Sequence, residues 1–233
     1  MNIAIMQPYL FPYVGYFQLF NAVDKFFICD NYQYTRHGWI NRNRYLQNGK
    51  DAFFSLSIKS DAQTKNICER ELASDFKPEK ILNQLKDAYK KSPHFEQTMA
   101  FVESVLAYPE RNLFGFLENS IKQACARLGV HCEIAKTSVL PIDHSLKKEE
   151  RVIAMCSAMG AEVYVNAIGG REVYSAENFS KKNIELKFLE SMPFTYQQFG
   201  GIFVPGLSII DVMMFNSADT IKQCLECGYK IIS

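Results

Sequence analysis

Histidine and tryptophan are scarce in this chain, four and one among 233 residues, and the larger catalytic signatures are missing altogether. There is no GxSxG, no Walker loop, no HExxH and no GxGxxG, which excludes nucleophile-elbow hydrolases, P-loop NTPases, zincins and the dinucleotide fingerprint. No apolar run approaches the ~20 residues of a membrane span, and Met1 to Ile5 lacks the basic, apolar and small-residue succession of a signal peptide. The expected location is therefore cytoplasmic. An excess of charge of one sign is lacking too: 26 basic residues stand against 25 acidic ones, too even a balance to gather nucleic acid or anionic lipid by a chain-wide field. No linker, repeat or low-complexity tract divides the chain, so one α/β domain over 1–233 is expected.

The seven cysteines, at 29, 68, 125, 132, 156, 224 and 227, are odd in number and irregular in spacing, unlike a secreted disulfide framework. Cys224 and Cys227 form a lone CxxC. A structural zinc site wants a second ligand pair, so no metal is expected and both read as core cysteines near a helix end.

Hydrophobic patterning supplies the elements. Asn2 to Gln7 suits a buried strand, Pro8 and Pro12 interrupt it, residues 15–23 take helical spacing, and Lys25 to Cys29 returns as a strand. That is the opening of a βαβ unit. Trp39 to Tyr45 and Ala52 to Ile58 flank Asn48-Gly49, a hairpin signal. From Ser74 to Leu128 the spacing is helical, divided by Pro78, Pro93 and Pro109 and closed by Gly129; these residues read as an inserted helical subdomain. Strand-like segments at 132–139, 162–166 and 184–189 surround a helix over 148–158, with a helix over 219–227 and a strand over 229–232 at the end. The expected fold is α/β, a mostly parallel Rossmann-like sheet with a β-hairpin and a helical subdomain inserted.

Two stretches concentrate chemistry. Ligands of open α/β sheets bind beyond the carboxyl ends of the strands, which singles out Gln7 to Gln18. Here Tyr9, Tyr13 and Tyr16 offer flat faces with hydroxyl handles for a sugar or base, and Gly15 would let backbone approach a ligand. The second stretch, residues 30–44, holds three arginines, three asparagines, His37 and the sole tryptophan, a dense supply of donors for carboxylate or phosphate. Strand alternation would put Trp39, Asn41 and Asn43 on one face and Arg42 and Arg44 on the other, leaving Arg44 solvated if Trp39 faces inward. Asp30 and His37 are the alternatives for a general base; Arg36, Arg42 and Arg171 are candidate anion ligands. Asn166, Gly169 and Gly170 leave a later strand at the same sheet edge. Lys147, Lys148 and Arg151 open a helix whose dipole they oppose; a solvated charge run is the first reading, and some of them facing a ligand the second. Asp211 lies in an apolar run; it needs an arginine or N–H donors, and capping with Ser208 is the first reading.

The blocks Gln7-Pro-Tyr-Leu-Phe-Pro-Tyr-Val-Gly-Tyr-Phe-Gln18, Trp39-Ile-Asn-Arg-Asn43, Gly160-Ala-Glu-Val-Tyr164 with Asn166 and Gly169-Gly170, and Leu207-Ser-Ile-Ile-Asp211 resemble the WbqC-like family of bacteria, in the family's order. The resemblance implies association with O-antigen and other surface-polysaccharide clusters and a proposed glycine transferase role. The expected substrate is then a sugar nucleotide or lipid-linked sugar; the donor is an aminoacyl compound or ATP is used. Nucleic acid is not expected as a partner except as an aminoacyl-tRNA donor. Residues 5–20 are also similar in layout to the start of nucleotidylyltransferase-like enzymes, but Pro12 to Tyr16 lacks both histidines of their HxGH loop. Nucleotidyl or adenylyl transfer, and a non-catalytic binding module, remain the alternatives to acyl or aminoacyl transfer.

Overall fold

The computed structural model describes residues 1–233. Its strands are β1 (Asn2–Met6), β2 (Lys25–Ile28), β3 (Arg42–Gln47), β4 (Lys50–Ser55), β5 (Glu133–Lys136), β6 (Val163–Ala167), β7 (Glu185–Ser191) and β8 (Tyr229–Ile232). Its helices are α1 (Val14–Asn21), α2 (Pro78–Tyr89), α3 (Phe95–Leu106), α4 (Leu113–Leu128), α5 (Lys148–Ala158), α6 (Ala176–Ser180), α7 (Ile209–Phe215) and α8 (Ala218–Cys227). Six strands form one sheet in the order β5-β2-β1-β6-β7-β8, and β3 and β4 pair separately. All neighbours in the large sheet are parallel except β7 and β8.

The parallel strands therefore grow outward in both directions from β1, the doubly wound arrangement whose switch point lies between β1 and β6. Alternation assigns the two faces. Phe26 and Ile28 of β2 join a cluster of 44 buried residues shared by α1 and the helices α2–α4, α7 and α8, while Phe27 and Cys29 join a cluster of 14 with α5 and α6. The stacked rings of Phe20 and Phe26, centroids 3.8 Å apart, tie α1 to β2, and burying each such ring is worth about 1.5–3 kcal/mol.

Local chemistry sets several element ends. Pro78 is the first residue of α2, where its missing N–H costs nothing; Asn112 caps α4 by accepting from the Gly115 N–H, and Gly129 ends it at φ 68°. Asn48 (φ 51°) and Gly49 (φ 75°) make the β3–β4 turn, both positive as that hairpin requires.

The hairpin itself begins later than alternation predicts. Residues 39–41 belong to a turn, closed by the Arg42 N–H donating to the Trp39 carbonyl (3.0 Å), so Trp39 does not share a pleat with Asn43. It stacks instead near Arg42 and Arg44, whose guanidiniums lie 6.0 and 5.6 Å from its ring. Cys224 is buried as expected, but Cys227 is exposed, because the last turn of α8 turns that position to solvent. No helix is long and apolar enough to cross a membrane.

Candidate functional site

Three distant sequence blocks meet at the carboxyl tip of β1. The loop after β1 runs through Phe11 in a left-handed conformation (φ 45°), a costly state for a bulky residue unless its surroundings impose it. They do so through its carbonyl. The buried Asn43 carboxamide donates to the Leu10 (3.1 Å) and Phe11 (2.6 Å) oxygens, and the Ser208 hydroxyl donates to the same Phe11 oxygen (2.9 Å). The Ile209 N–H donates to the Pro12 carbonyl (2.9 Å) and the Ser208 N–H to the Arg44 carbonyl (2.9 Å). Loop, hairpin and the start of α7 are thus one hydrogen-bonded unit.

Beside that unit lies a hollow of about 490 Å³, lined from Met6 to Tyr9, by Tyr13, by the 38–40 turn, and by Asn43, Arg44 and Gly206. Its aromatic walls are Tyr9, Tyr13 and Trp39, the last 46% exposed and so open to an incoming ring. Burial raises the Tyr9 and Tyr13 phenols above their ordinary range, so both remain neutral donors at physiological pH. Arg44 brings the only cation. Its Nη2 donates to the Gly206 carbonyl (2.9 Å), its Nη1 faces the half-exposed Asp51 (3.3 Å), and its Nε is buried with no partner.

A second, polar hollow of about 920 Å³ adjoins the first through Gly38, which lines both. It carries Arg36, His37, Lys59, Asp61 and Arg70. His37 is exposed on the turn between the two hollows.

The remaining predicted residues sort clearly. Gln7 is exposed in the first hollow, and its carbonyl accepts from Tyr16 (3.2 Å). Tyr16 itself is 1% exposed, packed between Tyr9 and Phe26, and is a core residue. Gly15 does not open backbone to a ligand: a Cβ there would lie 2.5 Å from the Tyr13 ring, so the glycine makes room for that ring. Asn41 bonds Tyr34 and the Leu56 carbonyl, and Arg42 donates to the His37 and Gly38 carbonyls, so both brace the turn. Asp30 is buried, its Oδ1 accepting from Thr137 (3.1 Å) and the Ser138 N–H (2.9 Å), away from both hollows.

Arg151 is also turned inward: it donates to Asn31 and stacks on Tyr32 (4.1 Å) rather than facing a ligand. Asn166 is buried at the tip of β6 against Gly170, where a Cβ would meet its amide at 2.1 Å; Gly169 is exposed beside it. Arg171 is exposed and reaches the Ser233 carbonyl (3.4 Å). None of these five residues lines either hollow.

Asp211 corrects the capping reading. Ser208 does cap α7, accepting from the Ile210 N–H (3.2 Å), but the Asp211 carboxyl points into the core. It accepts from Tyr89 (2.7 Å), Tyr196 (2.6 Å) and Gln198 (3.0 Å), with no arginine, and burial raises its pKa despite those donors. Arg44 corrects the other assignment: expected in solvent, it forms the cationic wall. Arg70 carried no signal in sequence, lying in an irregular segment whose return to the hairpin is tertiary.

These features define a doubly wound α/β protein with an aromatic hollow, one wall of which is Arg44, at the tip of its central strand. The chain belongs to the WbqC-like protein family, whose model matches residues 7–223. It is 25% identical over 234 residues to the uncharacterized protein Rv1507c of Mycobacterium tuberculosis, covering 97% of this chain and 99% of that one. No solved structure matches it.

Proposed function

We propose that this protein is a transferase of surface-polysaccharide or O-antigen assembly, joining a small acyl or aminoacyl group, such as glycine, to an amino sugar. The observation that carries the reading is the pair of hollows meeting at Gly38, one aromatic and one cationic, with His37 on the turn between them. The family resemblance supplies the polysaccharide context.

In this reading the sugar acceptor, on a nucleotide or lipid carrier, lies in the first hollow. Tyr9, Tyr13 and Trp39 offer ring faces of the kind that stack on sugars and bases, and Arg44 in the wall offers positive charge to a carboxylate or phosphate. The acyl donor occupies the second hollow. The acceptor amine attacks the acyl carbon, an amide bond forms, and the donor's leaving group departs with the bonding pair. His37, exposed on the turn between the two hollows, takes the amine proton. Its position favours it over Asp30, whose carboxylate is occupied in holding the 137–138 turn.

The test is mass-spectrometric detection of an amide product from nucleotide-linked amino sugars and a panel of activated glycine donors. Replacing His37→Gln should lower turnover by about 10²-fold or more while leaving the melting temperature unchanged, and equal turnover removes His37 from the reaction. Binding of the sugar nucleotide with no product from any donor would instead support a binding module.

A further inference from the structure

We propose that the polar hollow is an oxyanion site for a phosphate-bearing substrate, with Arg70 as its buried anchor and Arg36 as its exposed arm. The proposal rests on the assignment of that hollow to the donor and names the chemistry the donor presents.

Arg70 is only 7% exposed. Its guanidinium carbon sits over the Tyr34 ring, 4.6 Å from the centroid, which restrains its position. Nη1 donates to the Ala62 carbonyl (3.1 Å) and Nε is buried without a partner, which leaves Nη2, bonded to nothing in the chain, as the donor left for a ligand. A largely buried guanidinium with unmatched donors is costly unless something external completes it. Neither Arg70 nor Arg36 forms an ion pair within 4 Å, and Asp61 acts on Arg70 only at longer range.

The other charges of the hollow are already committed. Asp61 is paired with Lys65 (2.6 Å) and Lys59 with Glu71 (3.0 Å), so the charge left over is positive. Arg42, the third guanidinium near Tyr34, is occupied by the His37 and Gly38 carbonyls. Two guanidiniums without ion-pair partners, on different segments, suit a group that accepts hydrogen bonds from several directions. A phosphate has three such oxygens, whereas a carboxylate accepts mainly in one plane.

The experiment is isothermal titration of the full chain with inorganic pyrophosphate, repeated with acetate, on wild type, Arg36→Gln, Arg70→Lys and, as a control on α4 outside both hollows, Arg127→Gln. Pyrophosphate should bind wild type, and Arg36→Gln and Arg70→Lys should each weaken it by about tenfold or more, with Arg127→Gln unchanged. A thermal melt checks that Arg70→Lys folds; if it does not, Arg36→Gln decides alone. Unchanged pyrophosphate affinity in the Arg36 and Arg70 variants, acetate binding as tight as pyrophosphate, an equal loss in Arg127→Gln, or no binding at all would each overturn the proposal. Because binding is measured without turnover, a failure of the transfer reaction leaves this result intact, and the reverse also holds.

Discussion

Asn43 Nδ2 lies 2.6 Å from the carbonyl oxygen of Phe11, 32 positions earlier in the chain, and that contact holds a phenylalanine at φ 45° beside the aromatic hollow. Its Oδ1 accepts from the Arg44 N–H (2.8 Å), so one buried amide sets both the loop and the arginine.

Removing it should leave two buried carbonyls short of a donor. Asn43→Ala is expected to lose about 1–3 kcal/mol of stability, read as a lower urea midpoint with an unchanged slope. An unaltered midpoint would mean that Ser208 alone suffices to hold Phe11.

The single tryptophan gives the hollow a built-in reporter. Trp39 lies open to solvent over Phe53, with centroids 6.0 Å apart, so a ligand ring entering beside Tyr9 should change its emission. Gly15→Ala should weaken that response while sparing the fold. The new Cβ displaces only the far end of the Tyr13 side chain, and replacing a helical glycine by alanine offsets strain with up to about 1 kcal/mol. A melting temperature that falls while the titration stays intact would place the Tyr13 ring in the core rather than in the site.

Much of the fold was legible because it is written in local signals. The βαβ opening, the prolines that separate α2, α3 and α4, and Asn48-Gly49 each act within a few residues. Thus the two hollow-forming stretches were found, since strand tips and dense donors are visible in sequence. What was not legible depends on where a side chain is turned by distant partners. Arg44 enters the hollow because the 39–41 turn delays β3 and because the Gly206 carbonyl captures its Nη2. Tyr16 and Tyr13 have the same chemistry, yet one is core and the other wall, a difference set by packing against Phe26 and by the space Gly15 leaves. Two partners of Asp211, Tyr89 and Gln198, precede it by 122 and 13 positions and carry no motif.

Thiol chemistry should be equally selective. Burial raises the thiols of Cys125 and Cys156 to about 12 and of Cys132 and Cys224 to about 11, and holds Cys29 and Cys68 above the usual thiol range. Cys227 alone is exposed. Since the thiolate is the nucleophile, a disulfide reagent at mildly alkaline pH should modify one thiol rapidly, and Cys227→Ser should abolish that phase. Retention of the rapid phase in the variant would point to Cys68 or Cys132, the two half-buried thiols.

The buried carboxyl should leave its mark on the pH dependence of stability. Burial holds the Asp211 pKa above its ordinary value in the folded protein, whereas the unfolded chain releases this proton near about 3.9. Between those two values the unfolded state binds fewer protons, so raising the pH favours unfolding. The contribution of Asp211 is therefore complete below about pH 3.9 and is lost as the pH climbs through the folded value. Asp211→Asn carries no such proton, and both proteins share every other titration. The difference in unfolding free energy between them, measured in urea from pH 4 to 7, should move against the wild type as pH rises, by about 1.4 kcal/mol for each unit of separation between the two pKa values. A difference that stays level, or turns in the wild type's favour, would show that the hydrogen bonds from Tyr89, Tyr196 and Gln198 outweigh the cost of burying the charge.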